Sequence, residues 1–246
     1  MKTTLVFSSR NTKELLRDPL NLAFALGFPV VVMLLLTFIN NNIPQALFAI
    51  EHIAPGMAVF GLSFISLFSG TLIAKDRGTS FLMRLFASPM ESSNFILGYA
   101  LPLLPLALAQ SAICYLFAML LGLPISIHIL PALLLTIPAA LFFIGIGLLC
   151  GSLLTDKQVG GICGALLTNL TAWLSGTWFD LSLVGGAFET VANLLPFSHA
   201  VELGRAALAG NYAGIFPHIW WVLGYAAISM AVATLVFRRK MKSESL

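Results

Sequence analysis

Two apolar stretches of this sequence carry hydroxyl, amide and aromatic side chains at helical spacing. The first set lies between residues 54 and 74: Phe60, Ser63, Phe64 and Ser66. The second lies between residues 160 and 179: Thr168, Asn169, Thr171 and Ser175. The hydroxyl and amide groups offer hydrogen bonds without charge, and the two phenylalanines lie on a different face from the two serines. Such helix faces either pack helices together in a membrane or form a cargo pathway or dimer interface, and the sequence leaves both interpretations open.

The apolar stretches lack the groups that ion coupling and catalysis require. Six of them occupy residues 20–39, 54–74, 95–121, 129–154, 160–179 and 217–237, and none contains Asp, Glu, Lys or Arg. Intramembrane charges usually mark proton relays and ion sites, so their absence argues against a coupled carrier. The stretches also have no His-Glu pair for zinc and no paired aspartates, which argues against a membrane enzyme. We therefore expect no catalytic residues.

Cofactor binding is likewise not expected on this chain. Cys114, Cys150 and Cys163 lie inside apolar stretches and lack the spacing of metal ligands, so we interpret them as buried apolar side chains. The sequence contains no GxxxxGK[ST] phosphate-binding loop. The chain is therefore not expected to hydrolyse ATP, and any uphill transport would need energy from another protein.

The composition predicts the elements that must hold these residues. Of the 246 residues, 59% are apolar and only 9% are charged. Each of the six apolar stretches has about the 20 residues that a helix needs to cross a membrane. The predicted fold is an all-α integral membrane protein, a single domain over residues 1–246 with six transmembrane helices.

Basic residues predict how the chain is oriented. All but one of the 13 Lys and Arg residues fall on one side of the six predicted spans, and the exception is Arg205. Because basic residues collect on the cytoplasmic side, both termini are predicted to be cytoplasmic in a multi-pass protein of the cell membrane. The same residues lie at membrane edges rather than in one patch, so no nucleic-acid partner is expected.

Three segments outside the spans are predicted to be helical. Residues 1–19 are expected to form an interfacial helix on the inner leaflet, with an unstructured cytosolic tail as the alternative. Residues 180–216 divide at Pro196 into two short helices that would dip into the outer leaflet as a hairpin. Within them, Glu202 and Arg205 have the spacing of a helical ion pair.

The third segment, AKDRGTSFLMRLFASP at Ala74–Pro89, contains a short amphipathic helix between two predicted spans. At about 100° per residue, one broad arc is apolar and Arg84 lies on the opposite side. The apolar arc consists of Phe81, Leu82, Met83, Leu85 and Phe86. A helix joined directly to two spans could pass motion to both of them. Alternatively, it only floats on the inner leaflet.

Three motifs resemble the membrane subunits of ABC-2 type transporters. One runs from Pro55-Gly56 through Asp76-Arg77 to Pro89, the second is LLPFSHAVELGRAALAG, and the third is RDPLNLAFALGFPVVVMLLL. This resemblance implies a coupling helix at residues 75–89 that sits in a cleft of a cytosolic ATPase. The residues it assigns to ATPase coupling are Asp76, Arg77, Gly78, Thr79, Phe81, Leu82, Arg84 and Leu85, with Asp156 and Lys157 as a smaller contact.

The resemblance further implies a permease subunit that works as a homodimer or as a heterodimer with a similar chain. ATP and Mg would be bound by the separate ATPase subunits and not by this chain. The expected function is export of a hydrophobic or amphipathic cargo, such as a drug, a lipid-like molecule or a peptide. A self-contained channel or secondary carrier, and an accessory or immunity membrane protein, are the alternatives.

Overall fold

A computed structural model describes residues 2–43, 48–79 and 92–244 of the chain, and every regular element in these ranges is a helix. The longer helices are α1 (Lys2–Leu16), α2 (Pro19–Asn40), α3 (Ile50–Arg77), α4 (Ser92–Leu120), α6 (Thr136–Leu153) and α11 (Ile215–Glu244). The shorter ones are α5 (Ile129–Leu134), α7 (Asp156–Val159), a π-helix (Gly160–Leu167), α8 (Thr168–Leu174), α9 (Gly186–Leu194) and α10 (Pro196–Leu208). Two 3₁₀ turns lie at Leu181–Leu183 and Tyr212–Gly214.

Five segments of the described chain are long and apolar enough to cross a membrane. They are Pro19–Asn40, Ile50–Arg77, Ser93–Leu120, Ile129–Leu153 and Tyr212–Lys240. Each overlaps one of the six predicted spans. The prediction of an all-helical chain with membrane-length helices is therefore confirmed for the residues that the structure describes.

The predicted span at residues 160–179 has a mixed conformation instead of one long α-helix. It starts as the π-helix and continues as α8, which ends at Leu174 rather than at Phe179. Gly160, Gly161 and Gly164 give the first part low α-helix propensity, which is a local reason for the wider π-helical turns. A sixth crossing by this segment stays a prediction.

The predicted fourth span is divided at Leu135 into α5 and α6. Proline lacks an N–H, and its ring collides with the carbonyl group four residues earlier, which for Pro138 belongs to Leu134. The first helix therefore ends at Leu134 and the second begins at Thr136. Three other prolines lie inside spans without ending a helix: α2 continues through Pro29, and α4 continues through Pro102 and Pro105.

Helix α3 is the centre of the bundle, because most of its side chains are buried against other helices. Its closest contact is with α6, where glycines face one another. A Cβ atom added to Gly151 would lie 2.9 Å from the Cα atom of Gly70, which is closer than real side chains approach. The Ser69 hydroxyl donates across the same contact to the carbonyl oxygen of Ile144 at 3.1 Å. Small residues thus bring the two backbones into direct contact.

Candidate coupling site at the basic end of the bundle

Several helix ends meet at one end of the bundle, which we call the basic end. It contains α1, the last turn of α3, the first turns of α4, and the junction of α6 with α7. Side chains of α1 and α3 link these elements by hydrogen bonds. The links are Arg10 with Asp76, Asn11 with Gly98, and Arg77 with Gly151.

The carboxylate of Asp76 accepts hydrogen bonds from two other helices at this end. Arg10 donates to both of its oxygens, from Nη1 to Oδ2 at 2.6 Å and from Nη2 to Oδ1 at 2.8 Å. The hydroxyl of Tyr99 donates to Oδ2 at 2.9 Å. Asp76 itself is 4% exposed. A bidentate ion pair of this kind is stronger than a hydrogen bond between neutral groups. Because Arg10 is on α1 and Tyr99 is on α4, this one carboxylate joins α1, α3 and α4.

Arg10 is held in its charged form by this arrangement. Burial lowers the pKa of Arg10, but the hydrogen bond and the negative charge of Asp76 raise it, and the net pKa is above its usual value. The guanidinium group therefore keeps its charge at every physiological pH.

Helix α1 packs against α4 with buried side chains. The Nδ2 atom of Asn11 donates to the carbonyl oxygen of Gly98 at 3.0 Å, and Asn11 is completely buried. The ring of Phe7 meets that of Tyr99 edge to face, with ring centres 4.9 Å apart. Leu5, Val6 and Leu16 lie exposed on α1. One face of α1 is thus fixed to the bundle, and apolar side chains elsewhere on α1 are exposed at the surface of the chain.

The other predicted coupling residues near Asp76 form the end of α3 and its cap. Arg77 donates from Nη1 to the carbonyl oxygens of Gly151 at 2.9 Å and Leu154 at 3.3 Å. These carbonyls belong to the last turn and the cap of α6, where a helix has unpaired acceptors and a partial negative charge. Gly78 caps α3, and the Thr79 hydroxyl donates to the carbonyl oxygen of Asp76 at 2.9 Å. Arg77 therefore ties the ends of α3 and α6 together.

A second group of predicted coupling residues forms the tight start of α7. The Thr155 hydroxyl accepts from the backbone N–H of Gln158 at 3.4 Å, and the Gln158 side chain accepts from the N–H of Thr155 at 3.0 Å. This reciprocal capping box fixes the turn. Asp156 and Lys157 are exposed on it. The remaining predicted coupling residues, Phe81, Leu82, Arg84 and Leu85, lie outside the described residues.

Most side chains of the predicted pathway set are buried inside the chain. Phe60, Ser63, Ser66, Thr168, Thr171 and Ser175 are each at most 9% exposed. The Ser63 hydroxyl donates to the carbonyl oxygen of Phe60 at 2.7 Å, and that of Thr171 donates to Leu167 at 2.8 Å. This burial supports the helix-packing interpretation for them. Phe64 is partly exposed and Asn169 is exposed, so these two reach the surface of the chain.

Arg205 organises the opposite end of the bundle. Its Nη1 atom lies 2.6 Å from an oxygen of Glu202, which confirms the predicted ion pair. Its Nη2 donates to the carbonyl oxygen of Gly176 at 2.8 Å, and its Nε donates to that of His52 at 3.2 Å. Arg205 therefore joins α10 to the start of α3 and to the segment after α8. The sequence signal for this role was a lone basic residue in an apolar region, and the two carbonyl partners were missed.

Comparison with known proteins shows what this chain is similar to. A family model described as ABC-2 type transporter matches residues 3–209, which include α1, the basic end and α10. The ABC transporter G family member 20 of Dictyostelium discoideum is 26% identical to the chain over 206 residues. That match covers 80% of this chain and 28% of the relative, so the chain spans less than a third of the relative's length.

Proposed function

The chain belongs to the ABC-2 type transporter family, and from that premise we propose that it is the membrane-spanning permease subunit of an ATP-driven exporter. Separate cytosolic ATPase subunits would bind ATP and Mg and supply the energy. The permease would work as a homodimer or with a similar chain. It would lie in the cell membrane with six spans, both termini and the basic end on the cytoplasmic side.

The observation that carries this proposal is the network of links at the basic end. Asp76 and Arg77 follow one another in the last turn of α3, and together they bind α1, α4 and α6. The rest of the predicted coupling helix, residues 80–89, follows directly after Thr79 in the sequence. Movement of that helix by an ATPase would therefore reach four helices at once rather than bend a loose loop.

We expect a hydrophobic or amphipathic cargo, such as a drug, a lipid-like molecule or a peptide. The described membrane-length helices carry their charged residues only near their ends, which leaves few fixed charges for an ion. Asn169 and Phe64 are the members of the predicted pathway set that reach the surface. They would face either the cargo or the second permease subunit.

Reconstitution with an ATPase tests the proposal. The chain and an ABC ATPase of the same organism would be purified together and placed in vesicles with a panel of drugs, lipids and peptides. We expect ATP-dependent movement of one class of compound, and no movement with an ATPase that lacks its Walker lysine. Uphill movement driven by the chain alone would instead indicate a secondary carrier.

Two substitutions in the predicted coupling helix make this test specific. Arg84→Asp with Leu85→Asp would remove a positive charge and place an anion on the apolar arc. We expect loss of ATPase co-purification and of transport while the chain still inserts into the membrane. Lys242→Asp, in the basic tail, is the matched control for a charge reversal and should retain both. Unchanged transport in the double variant would contradict coupling through this segment.

A further inference from the structure

Two histidine rings face each other at the end of the bundle opposite the basic end. The Nδ1 atom of His199 on α10 lies 2.8 Å from the Nδ1 atom of His218 on α11. The Nε2 atom of His199 lies 2.9 Å from the carbonyl oxygen of Asn193 on α9. The His199 ring stacks on Trp221, with ring centres 5.0 Å apart and planes 12° apart. This cluster joins the α9–α10 hairpin to the last long helix.

The hydrogen-bond partners determine where the protons lie. A carbonyl oxygen only accepts, so the Nε2 atom of His199 must carry a hydrogen. In neutral His199 the Nδ1 atom then has a lone pair and accepts. The Nδ1 atom of His218 must therefore donate to it. One proton lies between the two rings, and the hydrogen bond between α10 and α11 depends on it.

Protonation of both rings would remove this bond. With one added proton, the neutral ring still has a lone pair on its Nδ1 atom and accepts from the other ring. With both rings protonated, both Nδ1 atoms carry hydrogens, two donors cannot bond to each other, and both rings are positive. Repulsion would then replace attraction between the hairpin and α11. Histidine is the side chain that changes charge in this way near physiological pH.

The groups around His199 influence this proton in opposite directions. From its own helix, Glu202 faces it, with one carboxylate oxygen held by Arg205. From α11, the rings of His218 and Trp221 contact the ring of His199, and Trp221 also stacks on the phenol ring of Tyr225. From α9 it meets the Asn193 carbonyl, and the neighbouring carbonyl of Leu194 accepts from the hydroxyl of Tyr225 at 2.7 Å.

The balance of these influences disfavours protonation of His199 beside a charged His218 in the docked state. Burial lowers the pKa of His199, and the positive charge of His218 lowers it further, although the Asn193 carbonyl and Glu202 raise it. A hairpin released from α11 would give His199 a pKa closer to the ordinary value of about 6.5. The released state thus protonates His199 more readily than the docked state does, and docking weakens as pH falls below about 6.5.

We propose that the His199–His218 pair is a pH-sensitive contact that docks the α9–α10 hairpin on α11 at neutral pH and releases it in acid. The contact is a property of this chain alone. It therefore does not depend on the exporter function proposed above, and the two can fail separately.

A distance measurement on the full chain tests this contact. Spin labels would be placed at Val191 on α9 and Ile228 on α11, which are 48% and 63% exposed. The background would carry alanine in place of Cys114, Cys150 and Cys163. In lipid nanodiscs, we expect the label distances to lengthen between about pH 7.5 and about pH 5, the range in which histidine titrates. An unchanged distance distribution would overturn the proposal.

Glutamine variants separate the histidine pair from general effects of acid. Glutamine offers a donor and an acceptor but does not titrate, so His218→Gln should keep the neutral-pH distance and lose its pH dependence. His199→Gln should behave in the same way. His128→Gln changes the histidine that bonds to Tyr212 at 2.8 Å, and it should keep the full response. The same acid response in His218→Gln as in the unmodified chain would also overturn the proposal.

Discussion

At the scale of residues, the sequence predicted local partners well and distant partners poorly. Glu202 and Arg205 were predicted to pair because a helix brings such neighbours together, and they do. Asp76 was assigned to an ATPase contact, yet both of its oxygens bind Arg10, which lies 66 positions away. No pattern in one sequence shows which remote residues meet when helices pack. Whether Asp76 also contacts an ATPase stays a prediction.

Replacement of Asp76 tests its role as a buried junction. Asp76→Asn removes the negative charge that pairs with the guanidinium group of Arg10. Breaking a buried ion pair costs about 3–5 kcal/mol, but the Arg10 side chain is 34% exposed. We therefore expect a loss of about 2 kcal/mol in the free energy of unfolding, because solvent screens the pair in part. The measurement is denaturant unfolding in detergent.

A double-mutant cycle identifies the partner. If Arg10 and Asp76 act as a pair, Arg10→Gln combined with Asp76→Asn should cost clearly less than the sum of the single changes. Asp156→Asn removes an exposed carboxylate at the same end and should change stability by no more than about 0.5 kcal/mol. Additive effects of the first two substitutions would show that the ion pair is not a stabilising unit.

At the scale of elements, the sequence located helices but not the faces that they bury. The hydroxyl residues of the predicted pathway set lie on helices, as their spacing indicated, except Ser175, which follows the last residue of α8. Burial of Ser63, Thr168 and Thr171 inside the chain is decided by neighbours that periodicity does not name. The same limit applies to backbone conformation. The sequence shows the glycines between residues 160 and 164, but it did not predict that this segment forms π-helical turns.

The contact between α3 and α6 leads to a prediction at this scale. Gly151→Ala would place a methyl group against the backbone of Gly70. Overpacking of this kind costs about 1–3 kcal/mol. We expect the free energy of unfolding to fall by that amount, and the thermal unfolding temperature to fall with it. Gly161→Ala is the matched control, because nothing lies within 4 Å of its added Cβ atom. Equal stability of the two variants would mean that the helices separate easily at Gly70.

At the scale of the whole molecule, charge is divided between two ends. Arg10, Arg77 and Lys157 lie at the basic end, whereas Arg205 lies at the opposite end. A division of this kind could be predicted from sequence alone, because basic residues follow membrane sidedness. The sequence could not show that the charges at both ends bind backbone or side-chain groups of other helices.

Chemical labelling tests this orientation. Lys157→Cys and Ala209→Cys place single thiols at exposed positions near the two ends, in a background without the native cysteines. A membrane-impermeant maleimide added to intact cells should label position 209 and leave position 157 unlabelled. Lysis should make position 157 reactive. Labelling of both positions in intact cells would refute the predicted topology.

The glycine contact between α3 and α6 also limits how the molecule can change shape. Two backbones that touch at Gly70, Gly147 and Gly151 with no side chains between them cannot slide past one another without a clash there. Arg77 further pins their ends together. A transport cycle would then have to tilt these two helices as one rigid unit. The hinges must lie where this unit borders helices that pack against it less closely.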